Sequence, residues 1–297
     1  MRFRNTEDYI VDSVNYILLS LVAIVTIYPF WYVFVLSFND GYDALVKGIY
    51  FWPRAFVLDN YVTFFSDTRW ISAFGVSVAR TLVGGLSTTL LTCMVAYAHS
   101  RPNLMHRKFY TLMLIFCMYF SGGLIPFYVM LRNYGLLNKF WVYIVPALIS
   151  YFFVLVARTF FQELPAELVE AAKIDGANDA GIFFRVILPV STPLLATMIL
   201  FQSVNHWNSW VDAAYYVRDE NLRTLSYRMM EVINKSLATD VLAQSDSAMA
   251  QMAEATRTTS FSLQCASLIV CITPILCVYP FLQKHFVQGI MIGSVKG

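Results

Sequence analysis

A bilayer core of roughly 30 Å is crossed by a helix of about 20 consecutive apolar residues. This chain offers six stretches of that kind, at about residues 16–38, 75–98, 109–131, 140–161, 190–216 and 261–282. Backbone polar groups inside hydrocarbon must be paired within their own segment, so each stretch should be a helix. Only 13% of the 297 residues are charged, about half the share in a soluble domain. The pattern predicts an all-α polytopic membrane protein with a single membrane domain over residues 1–297. Met1–Asp8 makes a basic start, but the apolar run after it is too long for a signal-peptide core, so it should stay attached as the first span.

Several function classes have no support in the residues. The net charge of +2 comes without a basic run, so no nucleic-acid partner is expected. There is no Gly-rich phosphate loop, no zinc-protease helix motif and no serine elbow. The four histidines, His99, His106, His206 and His285, are scattered without metal spacing, so no metal site is expected. Cys93, Cys117, Cys265, Cys271 and Cys277 all lie in apolar runs and read as packing residues. No catalytic residue is expected.

Between the spans, residues 39–74 hold Trp52, Pro53, Trp70 and many other aromatics, which suits a membrane–water boundary. In the second span Gly84, Gly85, Ser87, Thr88 and Thr89 are small enough to let another helix approach. Arg80, near the outer end of that span, is expected to snorkel to the interface. The polar segment 217–260 matches no compact motif.

A polar island at residues 162–189 interrupts the apolar pattern. Glu163, Glu167, Glu170, Asp175 and Asp179 lie in or beside it. Pro165 suits a first helical turn, and Gly176 suits the left-handed residue that ends a helix. Asn178 can cap a second short helix, with Asp179 at its positive end. Pro189 should break the chain before the next span. Leu168, Ala171 and Ala172 share one side of the first helix by spacing, and the small alanines would let a partner surface come close. Glu170 and Asp175 could pair with basic residues of that partner. Taken alone, this is also what an ordinary hydrated hairpin looks like.

The fifth span contains a second polar group: Asn205, His206, Trp207, Asn208 and Trp210, with Asp212 beside them. Polar side chains at membrane depth tend to face a bundle interior or a water-filled path. Amides and indoles beside aromatic faces suit sugars, whose hydroxyls bond to the amides and whose ring faces stack. An interfacial aromatic belt is the competing reading for Trp210, Tyr215 and Tyr216.

The island resembles the cytoplasmic "EAA" loop of permease subunits of ABC importers. Glu170, Ala171, Ala172, Gly176, Val186, Leu188 and Pro189 fall at the loop's positions, with Val186 where isoleucine is usual. Seven such matches at one start arise by chance on the order of once in 10⁷ trials. Ala96-Tyr97-Ala98 with Ser100-Arg101, the run Phe120–Pro126, Tyr134–Asn138, Trp141, Pro146, His206-Trp207-Asn208 and the tail Gln288–Gly297 are similar to the maltose-type, carbohydrate-uptake branch. This extends the resemblance over nearly the whole chain.

The resemblance implies the second permease of a complex-oligosaccharide importer, forming half of a heterodimeric pore. The EAA loop, with Asp175, would couple to an ABC ATPase dimer, and Asn205, His206, Trp207, Asn208 and Trp210 would line the substrate pathway. The other implied partners are a second permease subunit, an extracytoplasmic solute-binding protein and membrane lipid. ATP and Mg would sit on the ATPase subunits, with no cofactor in this chain. Both termini would be cytoplasmic. The alternatives are an ion-coupled secondary carrier, which needs intramembrane carboxylates, an ABC permease for a non-sugar solute and, more distantly, a membrane enzyme.

Overall fold

The first apolar run forms one helix, α1 (Thr6–Ser37), with Pro29 inside it. The computed structural model describes residues 6–46, 48, 51–243, 259 and 261–277. Its most apolar 18-residue window has a mean hydropathy of 2.1, and no residue of that window is buried among the described residues. Ile17, Leu19 and Ile24 are each more than half exposed. So large an apolar surface needs lipid or another subunit to cover it.

Two short helices, α2 (Gly41–Val46) and α3 (Asp59–Ser66), lead to α4 (Thr68–Ser100). This second long helix begins ahead of the expected residue 75, because Trp70 and Ala73 are already buried on its inner face.

The third, fourth and fifth expected spans depart from single straight helices. α5 (Arg107–Tyr119) and α6 (Leu124–Asn133) meet at 113°. The turn between them passes through Gly123 at φ +84, a conformation that glycine takes without a Cβ clash. Two 3₁₀ turns, Phe140–Tyr143 and Val145–Ala147, precede α7 (Tyr151–Glu163) at a 47° bend. The polar island forms α8 (Ala166–Ile174), α9 (Asp179–Ile182), a π turn over Phe183–Ile187 and α10 (Leu188–Val190). Its second arm meets α11 (Thr192–Asn208) at 86°. The break therefore comes at Ser191, two residues beyond Pro189.

The fifth expected span is itself interrupted after α11 and resumes as α12 (Val211–Tyr216). α13 (Leu225–Ala243) and α14 (Phe261–Cys277) complete the described helices. The far end of the sixth expected span and the tail Gln288–Gly297 lie outside the described residues. By length and composition α1 and α4 can each cross a membrane alone, and counting each bent pair as one span gives up to five, with α14 shorter. Among the described residues there is no strand, only an isolated bridge between Asn39 and Phe56.

The chain packs as two units, Met1–Thr68 with Met229–Thr273, and Arg69–Arg228 with Pro274–Gly297. The first is tied by a buried polar knot. The Asn60 side-chain amide donates to the carbonyls of Ser37 and Asn39, both at 3.0 Å, and accepts from the Ser262 hydroxyl at 2.8 Å. Satisfying each of these buried groups avoids the desolvation penalty of an unpaired amide. Val35, Leu36 and Cys265 pack beside the knot.

The second unit has two apolar cores. One gathers Cys93, Ala96 and Tyr97 of α4, Val154, Ala157 and Phe161 of α7, Ala172, Ile182, Phe183 and Ile187 of the polar island, and Met198 of α11. The other holds Leu131, Val142, Tyr143, Ile144, Ala213, Tyr216 and Val217. The first core fastens the island to three apolar helices.

Candidate coupling and pathway sites

The island's local geometry follows from its sequence. α8 ends at Gly176 with φ +79. The Gly176 N–H donates to the Lys173 carbonyl and the Ala177 N–H to the Ala172 carbonyl, both at 3.0 Å. These are the two bonds of a Schellman cap, which satisfies carbonyls that the helix end leaves open. Pro165 is the residue just before α8 and not its first helical residue. The Asn178 side chain accepts from the Gly181 N–H at 2.8 Å and starts α9, with Asp179 in its first turn.

The two alanines part company. Ala172 is 9% exposed and belongs to the core with Phe161 and Ile187, whereas Ala171 faces outward. Spacing alone places them on one partner-facing side, and the structure corrects this. A helix advances about 100° per residue, and here the inner face runs through Leu168, Val169 and Ala172. The outer face carries Glu167, Glu170, Ala171 and Ile174, at i, i+3, i+4 and i+7. Ile174 is 86% exposed, and sequence reasoning misses it. The available signal is a large aliphatic side chain between Lys173 and Asp175 on a polar hairpin. Asp175 is exposed, Val186 and Leu188 pack at the core's edge, and Pro189 is exposed.

In the fifth span the five polar and aromatic residues separate. Asn205 and Asn208 are exposed and Trp210 is half-buried, while His206 and Trp207 are 4% and 7% exposed. His206 sits against Gly84 of α4, where an added Cβ would lie 2.6 Å from the imidazole, and its Nε2 is 3.4 Å from the Thr88 hydroxyl. Trp207 meets Phe74 edge to face, and its carbonyl accepts from the Ser226 hydroxyl at 2.6 Å. That turns two of the five expected lining residues away from open space. Phe201, Asn205 and Asn208 instead form one exposed stripe at i, i+4 and i+7.

Arg80 does not snorkel. It is 2% exposed, forms an ion pair with Asp212, and donates through Nη1 to the Ser209 carbonyl at 3.0 Å. Its guanidinium also lies 4.6 Å from the Tyr143 ring centroid. The cause is the interruption between α11 and α12. A helix end inside an apolar core leaves carbonyls without partners, and the guanidinium serves Ser209 while balancing the charge of Asp212. The Ser209 hydroxyl donates to the same carboxylate at 3.0 Å.

Comparisons with known proteins agree with one another. The model of the family described as "Binding-protein-dependent transport system inner membrane component" matches residues 1–292. The chain belongs to that family. The permease is 35% identical to protein LplC of Bacillus subtilis over 96% of its own length and 95% of that protein. It is 34% identical to the polygalacturonan/rhamnogalacturonan transport system permease YtcP of the same organism, over 98% and 100% of the two chains. Among solved structures it resembles a chain of a bacterial ABC transporter involved in import of the acidic polysaccharide alginate. That match has a TM-score of 0.84 and 26% identity, and covers 96% of the permease and 100% of that chain. The protein is thus an inner-membrane permease subunit of an ABC importer and not an enzyme.

Proposed function

We propose that the permease forms half of a heterodimeric pore for oligosaccharides, and that α8 to α10 couple it to an ABC ATPase dimer. The observation that carries the coupling role is the two-faced α8. Its outer face exposes Ile174 beside Glu167, Glu170 and Ala171, while its inner face buries Ala172 in the core shared with α4, α7 and α11. An exposed aliphatic ringed by carboxylates suits a partner groove with an apolar floor and basic rim. A push on that face is delivered to the membrane helices through close-packed side chains, which deform little. ATP and Mg belong to the ATPase subunits in this reading, and a solute-binding protein delivers the substrate from outside.

Sugar polymers appear in the names of YtcP and of the alginate importer, which supports an oligosaccharide as the cargo here. Phe201, Asn205 and Asn208 give α11 an aromatic face beside two amides, the pairing that a sugar ring with hydroxyls takes. The ion-coupled carrier is disfavoured because Asp212, the carboxylate of the fifth span, is already neutralised by Arg80. The hairpin and both termini are assigned to the cytoplasm, in line with Arg101, Arg107 and Lys108 before and at the start of α5 against Arg132 and Lys139 at and beyond the end of α6. The deciding experiment is uptake by the reconstituted importer of oligosaccharides against amino acids and peptides of similar size. Transport of oligosaccharides alone is expected, and transport of peptides in their place would overturn the substrate assignment.

A further inference from the structure

At one end of the second unit three cationic or basic side chains gather. His99 stands in the last turn of α4, Arg107 opens α5, and Arg158 lies near the end of α7. The guanidiniums of Arg107 and Arg158 lie within electrostatic range of each other and of the His99 ring. Thr111 links the first turn of α5 to the end of α4, with its hydroxyl 3.2 Å from His99 Nε2 and donating to the Arg107 backbone carbonyl at 2.9 Å.

Like charges gathered this way repel, and proteins ordinarily offset them with an acid. Here Nε of Arg107 and Nε of Arg158 are buried without a hydrogen-bond partner. Neither arginine makes an ion pair among the described residues. Neighbouring Arg101 is engaged elsewhere, over the Tyr97 ring at 4.1 Å, and Asp179 acts on that same tyrosine. The start of α5 adds to the positive field. Its N-cap, His106, gives no side-chain hydrogen bond to the helix, and the helix dipole favours an anion there.

We infer that Arg107 and Arg158, backed by the buried His99, form a binding site for the phosphodiester of an anionic phospholipid. The surroundings favour a lipid over a free anion. Phe109, Leu112 and Phe116 on α5 are 63%, 66% and 59% exposed, and Phe152 on α7 is 54% exposed. An acyl chain can lie along this apolar surface while the headgroup phosphate meets the arginines. Basic pockets between membrane helices bind anionic headgroups in this manner. The site would also relieve the repulsion between Arg107 and Arg158, close to where α7 hands over to the coupling hairpin.

The test uses the whole importer, purified and delipidated in detergent. It is titrated with phosphatidylglycerol, with phosphatidylcholine of the same acyl chains, and with inorganic phosphate, reading bound lipid by native mass spectrometry and stability by thermal melting. Phosphatidylglycerol should bind and raise the melting temperature, while the other two should do neither. Arg107→Gln with Arg158→Gln should weaken that binding about tenfold or more, given two lost phosphate contacts. Lys108→Gln, an exposed neighbour, should leave it unchanged. Equal binding of the two lipids by the unmodified importer would overturn the inference without any variant. Equal phosphatidylglycerol binding by the double variant would also overturn it. Stabilisation by inorganic phosphate alone would overturn the lipid assignment and make the cluster a free-anion site.

Discussion

Removing one side of the Arg80–Asp212 pair should be far more damaging than the removal of a surface charge, and the two removals should not be equal. Exposed ion pairs contribute at most about 1 kcal/mol, whereas breaking a buried pair costs about 3–5 kcal/mol because a charge is left stranded. The side chain of Arg80 is 3% exposed and that of Asp212 is 33% exposed. Arg80→Met leaves a carboxylate that water can reach, so its cost should fall to about 2 kcal/mol, including the Ser209 carbonyl that loses its donor. Asp212→Asn strands a guanidinium that water cannot reach and should cost about 3 kcal/mol or more. The double variant strands neither charge, so it should be less damaged than the sum, with a coupling of about 1–2 kcal/mol. SDS-driven unfolding of the purified permease in mixed micelles, run as a double-mutant cycle, measures all four corners. A coupling below about 0.5 kcal/mol would refute the buried pair and restore an Arg80 that snorkels to the interface.

Other outcomes follow from the same geometry. Gly176→Val forces a β-branched residue to φ +79 and should cost roughly 1–2 kcal/mol of hairpin stability, seen as faster proteolysis of the hairpin with normal membrane insertion. Ala172→Asp buries a carboxylate among Phe161, Ile182 and Ile187, so it should destabilise the second unit by about 3 kcal/mol or more and lower yield, whereas Ala171→Asp, on the outer face, should fold normally. Asn208→Ala should reduce sugar uptake several-fold and leave basal ATP hydrolysis in place, since one hydroxyl contact is worth on the order of 1 kcal/mol; unchanged uptake of every sugar would return α11's exposed stripe to packing. Cysteines introduced at 108 and 170 should be labelled only from the cytoplasmic side, and labelling of 170 from outside intact cells would reverse the orientation.

The helix punctuation of the island is legible in the sequence because it is local. Gly176 and Asn178 act through bonds to residues a few positions away, and their chemistry fixes those bonds. Small residues at Gly84 and Gly85 likewise announce a close helix crossing, and His206 fills it. The bends are harder to read. Hydropathy summed over a window does not register direction, so residues 109–131 read as one span although Ser121-Gly122-Gly123 could mark the 113° turn. The fifth span hides its interruption for the same reason. Arg80 and Asp212 are 132 positions apart, and no single-sequence pattern joins residues at that distance. Polarity also does not say which way a side chain faces. Asn205 through Asn208 are consecutive on a helix, so they must point in different directions, and His206 and Trp207 turn inward while the two asparagines do not.

The central claim is that the outer face of α8 transmits ATPase motion into the membrane helices. The most direct measurement pairs Ile174→Asp and Gly176→Val with the unmodified permease. It reads co-purification of the ATPase subunits from detergent and ATP-driven uptake into vesicles. Both variants should insert in the membrane and assemble with the second permease. Ile174→Asp should lose ATPase co-purification, and Gly176→Val should lose uptake even where the ATPase is retained. Unmodified assembly and uptake in both variants would contradict the account.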